Sequence, residues 1–236
     1  MNLNTTISPR DGMFQAGGER HYFSVGESAL HEIRLALQLA NTGSPATILD
    51  FPSGHGRVLR RLRVEYPAAL ITACDIDLDA IRFCADEFGA VPVPGSEDLS
   101  RIPLDGDYDL IWCGSLLTHL NADLFKQVLS FMSDHLAASG VLVFTTHGRR
   151  PLELFRNKVL SYLGPDHDAD FEEMIREYGV HGFSYRNYSH MSNYGISLSK
   201  PFWVLRQLEL FPKLRLLMTH EAGWDNHQDV FACVKV

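Results

Sequence analysis

Between residues 46 and 146, short and continuously apolar runs alternate with stretches of helical period, and that rhythm confines the chain to few folds. The runs are ATILDF (46–51), ALITACDI (69–76), Val91 to Val93, DLIWC (109–113) and Gly140 to Thr145. Glu27 to Leu39, Arg57 to Glu65, Asp79 to Phe88 and Ala122 to Ala137 read as helices, with Asn41-Thr42-Gly43, Pro67 and Gly89 as stops. A strand apolar on both sides must be covered on both sides, and parallel strands need a crossover to join them. The alternation therefore predicts an α/β chain with a parallel sheet and helices on both faces.

From Gly148 to Lys200 the rhythm breaks into a Tyr- and His-rich stretch with Tyr162, His167, Tyr178, His181, Tyr185, Tyr188, His190 and Tyr194. It reads as a lid-like insertion, partly helical (Pro151 to Leu163, Asp168 to Tyr178) and partly loop. Pro201 to Leu210 follows as a helix, and LRLLMTHEAGW and DVFACVKV are β runs separated by DNHQ. Residues 1–26, polar and glycine-containing, read as an N-terminal arm or cap, and 27–236 as one domain carrying the insertion at about 148–200.

With 21 Lys and Arg against 29 Asp and Glu the net charge is −8, and no basic block stands out. A surface that tracks phosphates is a poor fit to that balance, so nucleic acid is not expected as substrate. The cysteines Cys74, Cys84, Cys113 and Cys233 form no CxxC pair, which suits buried thiols in a reducing cytoplasm and offers no zinc framework. Asp166-His167-Asp168 reads as solvated turn chemistry rather than a metal site. No charged n-region leads an apolar run at the start, and no stretch approaches the ~18 apolar residues of a membrane span.

The sharpest local signal is Asp50-Phe51-Pro52-Ser53-Gly54-His55-Gly56-Arg57, where a buried strand ends, a glycine turn follows and a helix begins. Glycines let backbone approach a ligand, and the new helix offers free N–H groups. Asp75, at the end of the second strand, stands where an acid binds the hydroxyls of an adenosine ribose. A dinucleotide fingerprint would need glycine at position 59, where Leu59 stands, and no phosphate-binding Gly-Lys-Ser/Thr exists. An acid at the strand end, as Asp50 is, would repel a pyrophosphate and suits a ligand carrying an ammonium group.

Asp50 to Gly56, Asp75 in ACDID, the SEDL loop, and GDYDLIWCGSLLTHL followed by SGVLVFTTHG resemble the successive motifs of class I S-adenosylmethionine-dependent methyltransferases, over roughly residues 27 to 147. The resemblance implies a Rossmann-like, three-layer α/β/α fold with seven strands, mostly parallel, ending in an antiparallel strand. It implies S-adenosylmethionine as cofactor, with Asp50, Phe51, Gly54 and Gly56 around its methionine part and Asp75 and Ile76 at the ribose. Glu97, Asp98 and Leu99 would lie near the adenine, and Cys113, Gly114 and Ser115 would face the methyl donor. Two departures stand out: Pro52 replaces the family's first glycine, and the usual acid after the third strand aligns with Gly95.

Methyl transfer from a sulfonium is an in-line displacement on an already activated donor, so alignment is the protein's main task. A hydroxyl nucleophile also needs a base, and His119 and His147, beyond the fourth and fifth strands, are the candidates. Each also has a plain structural reading, as does His227 in its turn. The Asn/Asp-Pro-Pro-aromatic motif of amino-group methyltransferases is absent at Cys113 to Leu116. Met13 to Gly26, the insertion and GWDNHQDVF are more loosely similar to methyltransferases encoded with glycan-assembly enzymes. The expected reaction is transfer to a hydroxyl of a small molecule or glycan. Transfer to nitrogen or carbon of a metabolite, and a non-catalytic cofactor-binding module, are the alternatives. The sequence leaves the oligomeric state open.

Overall fold

The structure, a computed structural model, describes residues 2–157, 159, 168–189 and 191–236. Its centre is a seven-stranded sheet in the order β3-β2-β1-β4-β5-β9-β8. These strands are β1 (Thr47–Asp50), β2 (Leu70–Asp75), β3 (Val91–Pro94), β4 (Tyr108–Cys113), β5 (Leu136–Thr146), β8 (Leu214–Trp224) and β9 (Gln228–Lys235). Strands β1 to β5 run parallel, and β9 lies antiparallel between β5 and β8. This is the expected sheet.

Alternate residues along each strand feed two separate cores, as a doubly covered sheet requires. Ile48, Ile71, Leu110, Trp112, Val141 and Val143 pack against α1 (Glu19–Ala40), α2 (Leu59–Glu65) and α3 (Leu78–Phe88). Leu49, Ile111, Cys113, Leu142 and Phe144 pack against α4 (Ala122–Asp134) and α7 (Pro201–Leu208). Asp77 caps α3 by accepting the N–H groups of Asp79 and Ala80, and Asn121 caps α4 in the same way.

Several elements differ from the sequence reading, three of them in ways that bear on the site. Helix α1 begins at Glu19 rather than Glu27, and its early residues Tyr22 and Val25 are buried, so the irregular N-terminal segment ends at residue 18. That segment is strapped to the domain: the buried Arg60 guanidinium donates to the carbonyls of Asn4 and Thr6. Helix α4 stops at Asp134, because Leu136 pairs with Tyr108 and opens β5. The insertion holds α5 (Arg149–Arg156) and α6 (Asp168–His181), and also a hairpin of β6 (Phe183–Asn187) and β7 (Gly195–Ser199) where loop was expected. Ser184, Ser197 and Ser199 are buried in that hairpin, and small polar residues facing inward hide the strand alternation. Tyr162, Asp166, His167 and His190 lie outside the described residues.

No helix among the described residues is long and apolar enough to cross a membrane.

Candidate active site

The C-terminal ends of β1, β2, β4 and β5 share one edge of the sheet, and the strand order reverses between β1 and β4. Open α/β sheets bind ligands at such a point. A cavity of about 580 Å³ opens there, lined by Asp50, Gly54, Asp75, Gly114, Ser115, His119 and His147 among others. A wider depression of about 840 Å³ between α5, α6 and α7 is lined by none of the expected cofactor-binding or catalytic residues, though Tyr178 of the insertion borders it.

Asp50 is the last residue of β1 and is fully enclosed. Its Oδ2 has no hydrogen-bond partner among the described residues. Burial, with the charge of Asp75 second, pushes its carboxyl well above the usual carboxylate range. An enclosed carboxylate with an open oxygen calls for a cation. Asp75 ends β2 and organises the glycine turn, accepting the N–H of Gly54 at 2.8 Å and that of Asp77 at 2.9 Å. Each of its oxygens retains a lone pair for further donors.

The two glycines of the turn differ in kind. Gly54 (φ +48°) has nothing within 4 Å of where a Cβ would stand, and it borders the cavity. Gly56 (φ +75°) would place a Cβ 2.6 Å from the Phe88 ring, so it is fixed by packing. Gly95 explains the missing acid after the third strand, since a Cβ there would lie 2.8 Å from the Asp75 and Ile76 backbone. The Phe51–Pro52 bond of the turn is cis.

Several residues expected at the site do not line the cavity. Phe51 turns its ring to Phe131 at 5.7 Å, and Cys113 is buried in the α4-side core with its thiol pushed up by burial. Ile76 is exposed beside Asp75. Asp98 caps a short turn over Leu99–Arg101 and pairs with Arg101, while Glu97 is exposed and Leu99 half-buried.

The opposite wall is aromatic and basic. His119 Nδ1 lies 2.8 Å from the Gly195 carbonyl and 3.1 Å from the Tyr188 hydroxyl, and its ring stacks on Tyr194 with centroids 4.9 Å apart. A carbonyl can only accept, so Nδ1 carries the proton and Nε2 is the basic nitrogen. Burial lowers the pKa of His119. His147 stands at the exit of β5, its ring 6.3 Å from His119 and 5.3 Å from His227. Burial first, then His227 and His119, hold it well below the ordinary histidine value. His220 lies elsewhere, paired with the buried Glu32 of α1.

Sequence reasoning missed Arg57, Thr145, Trp224 and Gln228. Arg57 borders the cavity with its guanidinium between the Tyr22 and Trp224 rings, 5.9 and 5.8 Å from their centroids. No ion pair or hydrogen bond ties it down among the described residues. Only its place just after the glycine turn could have marked it. Trp224 and Gln228 flank the β8–β9 turn, and folding alone brings them to β4 and β5.

Residues 49–142 match the sequence family described as "Methyltransferase domain". The chain is 30% identical over 142 residues to a malonyl-[acyl-carrier protein] O-methyltransferase of Laribacter hongkongensis (strain HLHK9), covering 56% of this chain and 47% of that one. It is 28% identical over 153 residues to the protein of that name from Bacillus anthracis, covering 64% and 56%. The chain thus spans about half the length of the curated relatives it matches. Among solved structures it is similar to an S-adenosylmethionine-dependent methyltransferase from Clostridium acetobutylicum ATCC 824 (TM-score 0.60, 16% identity, 91% of this chain and 92% of that one). It is also similar to magnesium protoporphyrin IX methyltransferase from Synechocystis PCC 6803 with bound SAH (TM-score 0.57, 14% identity, 92% and 86%). At such identities the structural likeness is one of fold. Strand order, glycine turn and family match converge: residues 49–142 match the methyltransferase-domain family, and the sheet around them has the Rossmann-like fold of solved S-adenosylmethionine-dependent methyltransferases.

Proposed function

We propose that the chain transfers a methyl group from S-adenosylmethionine to an oxygen of a small molecule or glycan. The observation that carries the oxygen assignment is His119, a neutral base with its tautomer set by Gly195, facing the same cavity as Asp50 and Asp75. When bound, the cofactor supplies a methyl group already activated on a sulfonium. Asp50, with its open buried oxygen, fits the cofactor's ammonium, and Arg57, without an ion pair among the described residues, fits its carboxylate. Asp75 accepts from the ribose hydroxyls, and Ile76 offers an exposed apolar face to the adenine beside Glu97, Asp98 and Leu99. His119 Nε2 takes the proton of an acceptor hydroxyl, with Tyr188 and Tyr194 as a surface for its ring. His147 backs His119 as the second candidate base.

The names of the curated relatives favour a second reading, an acyl carboxyl group on a carrier protein as acceptor. A carboxylate oxygen needs no base, so the histidines separate the two readings. Calorimetric titration with S-adenosylmethionine, S-adenosylhomocysteine and NAD tests the cofactor. Binding of the first two and not of NAD is expected, and Asp75→Ala should weaken it by about 1.5–3 kcal/mol. Unchanged affinity in that variant would remove Asp75 from the ribose.

A further inference from the structure

We propose that Ser115 is a hydrogen-bond donor of fixed direction, and that it makes the acceptor site choose oxygen over nitrogen nucleophiles. The inference rests on the methyl-transfer reading above and narrows its substrate class.

Ser115 follows β4 with φ +65°, a left-handed conformation that costs a non-glycine residue on the order of 1–2 kcal/mol. Three contacts hold it there. Its N–H donates to Thr145 Oγ1 at 2.8 Å, its carbonyl accepts from the Thr118 hydroxyl, and its Oγ accepts from Gln228 Nε2 at 3.0 Å. Strain that the surroundings hold so firmly clusters where geometry serves function.

The directions of these bonds form a closed set. Thr145 is wholly buried, and its hydroxyl already accepts from Ser115, so its own proton needs an acceptor. Gln228 Oε1, 2.6 Å away, takes it. With the amide oxygen turned to Thr145, the amide nitrogen must face Ser115. Flipping the amide would leave the buried Thr145 proton without an acceptor. Ser115 Oγ therefore receives a proton from Gln228, and its own proton points elsewhere. No acceptor for it stands among the described residues, and Ser115 borders the cavity. The donor faces the acceptor site.

A donor at that point treats nucleophiles unequally. A hydroxyl oxygen has two lone pairs: one accepts from Ser115, the other attacks the methyl carbon, and the hydroxyl proton passes to His119 Nε2. The O–CH3 bond forms as the S–CH3 bond breaks, and the bonding pair returns to sulfur as a neutral thioether. A carboxylate has lone pairs to spare and no proton to lose. A neutral amine has one lone pair, and the Ser115 donor occupies it.

The test uses the full chain saturated with S-adenosylhomocysteine, titrated with benzoate and with aniline, an amine that is neutral at pH 7, and read by NMR shifts. Wild type is expected to bind benzoate at least tenfold more tightly than aniline. Ser115→Gly removes the hydroxyl and relieves the positive φ, and an unchanged melting temperature separates its result from loss of fold; benzoate affinity should fall at least fivefold. Gln228→Leu breaks the set from the other side and should lose the benzoate preference as well. The proposal is overturned if either variant binds benzoate as wild type does, if aniline competes equally, or if loaded wild type ignores benzoate. Failure of wild type to take up S-adenosylhomocysteine would instead overturn the methyl-transfer reading.

Discussion

At the scale of single residues, the two glycines of the turn should part company on substitution. Gly54→Ala points a methyl group toward open cavity, and the fold should survive with about 1 kcal/mol of backbone strain while S-adenosylhomocysteine binding is lost. Gly56→Ala drives a methyl group into Phe88 at positive φ and should cost about 3 kcal/mol, seen first as a lowered melting temperature. The sequence treats them alike, because a glycine needed for ligand approach and one needed for packing are the same letter. Asp50 yields another expectation. Its carboxyl holds a proton to unusually high pH, and an ammonium ligand needs it ionised, so binding should release protons and weaken as pH falls. Calorimetry in buffers of different ionisation enthalpy measures that release, and a buffer-independent enthalpy would separate Asp50 from the ammonium.

At the scale of elements, strands β1 to β5 were legible because each is a continuous apolar run next to a helix with a clear stop. The β6–β7 hairpin was not, since what stabilises it is long-range. The Ser197 hydroxyl donates to the Leu117 carbonyl at 3.0 Å, the Ser199 N–H to the His147 carbonyl at 2.8 Å, and Gly195 receives His119. These bonds tie the insertion to the exits of both β4 and β5, and no local pattern announces them. Arg57 and Gln228 escaped notice for the same reason: their role depends on which strands become neighbours. Ser197→Ala should release the hairpin locally, by about 1 kcal/mol, with faster amide exchange at residues 195–199 and none in β1. Acceleration across the central sheet as well would show the bond to be global rather than local.

At the scale of the whole molecule, Asp229 links acidity to stability. It is buried on β9, its Oδ1 accepts the Ala222 N–H at 2.8 Å, and Gly148 is so close that a Cβ there would meet Oδ2 at 1.9 Å. Burial pushes its carboxyl up to about 6. The folded chain then keeps a proton that the unfolded chain gives up near 3.8, so stability falls as pH rises between those values and levels off above them. About two pKa units correspond to about 3 kcal/mol. Asp229→Asn should flatten denaturant midpoints between pH 4 and 7 and match or exceed wild type at pH 7. A slope unchanged in the variant would assign the effect to other groups. Strand β9 has a further consequence through its place in the sheet. It begins at residue 228 yet lies inside the sheet, against β5 on one side and β8 on the other. During synthesis β1 to β4, with Asp50 and Asp75, leave the ribosome more than a hundred residues before Gln228 does. A nascent chain can shape the half of the cleft around Asp50 and Asp75 early. Ser115 is met by Gln228 only when β9 arrives, so the selectivity proposed for it would follow the Asp50 and Asp75 half of the cleft during synthesis.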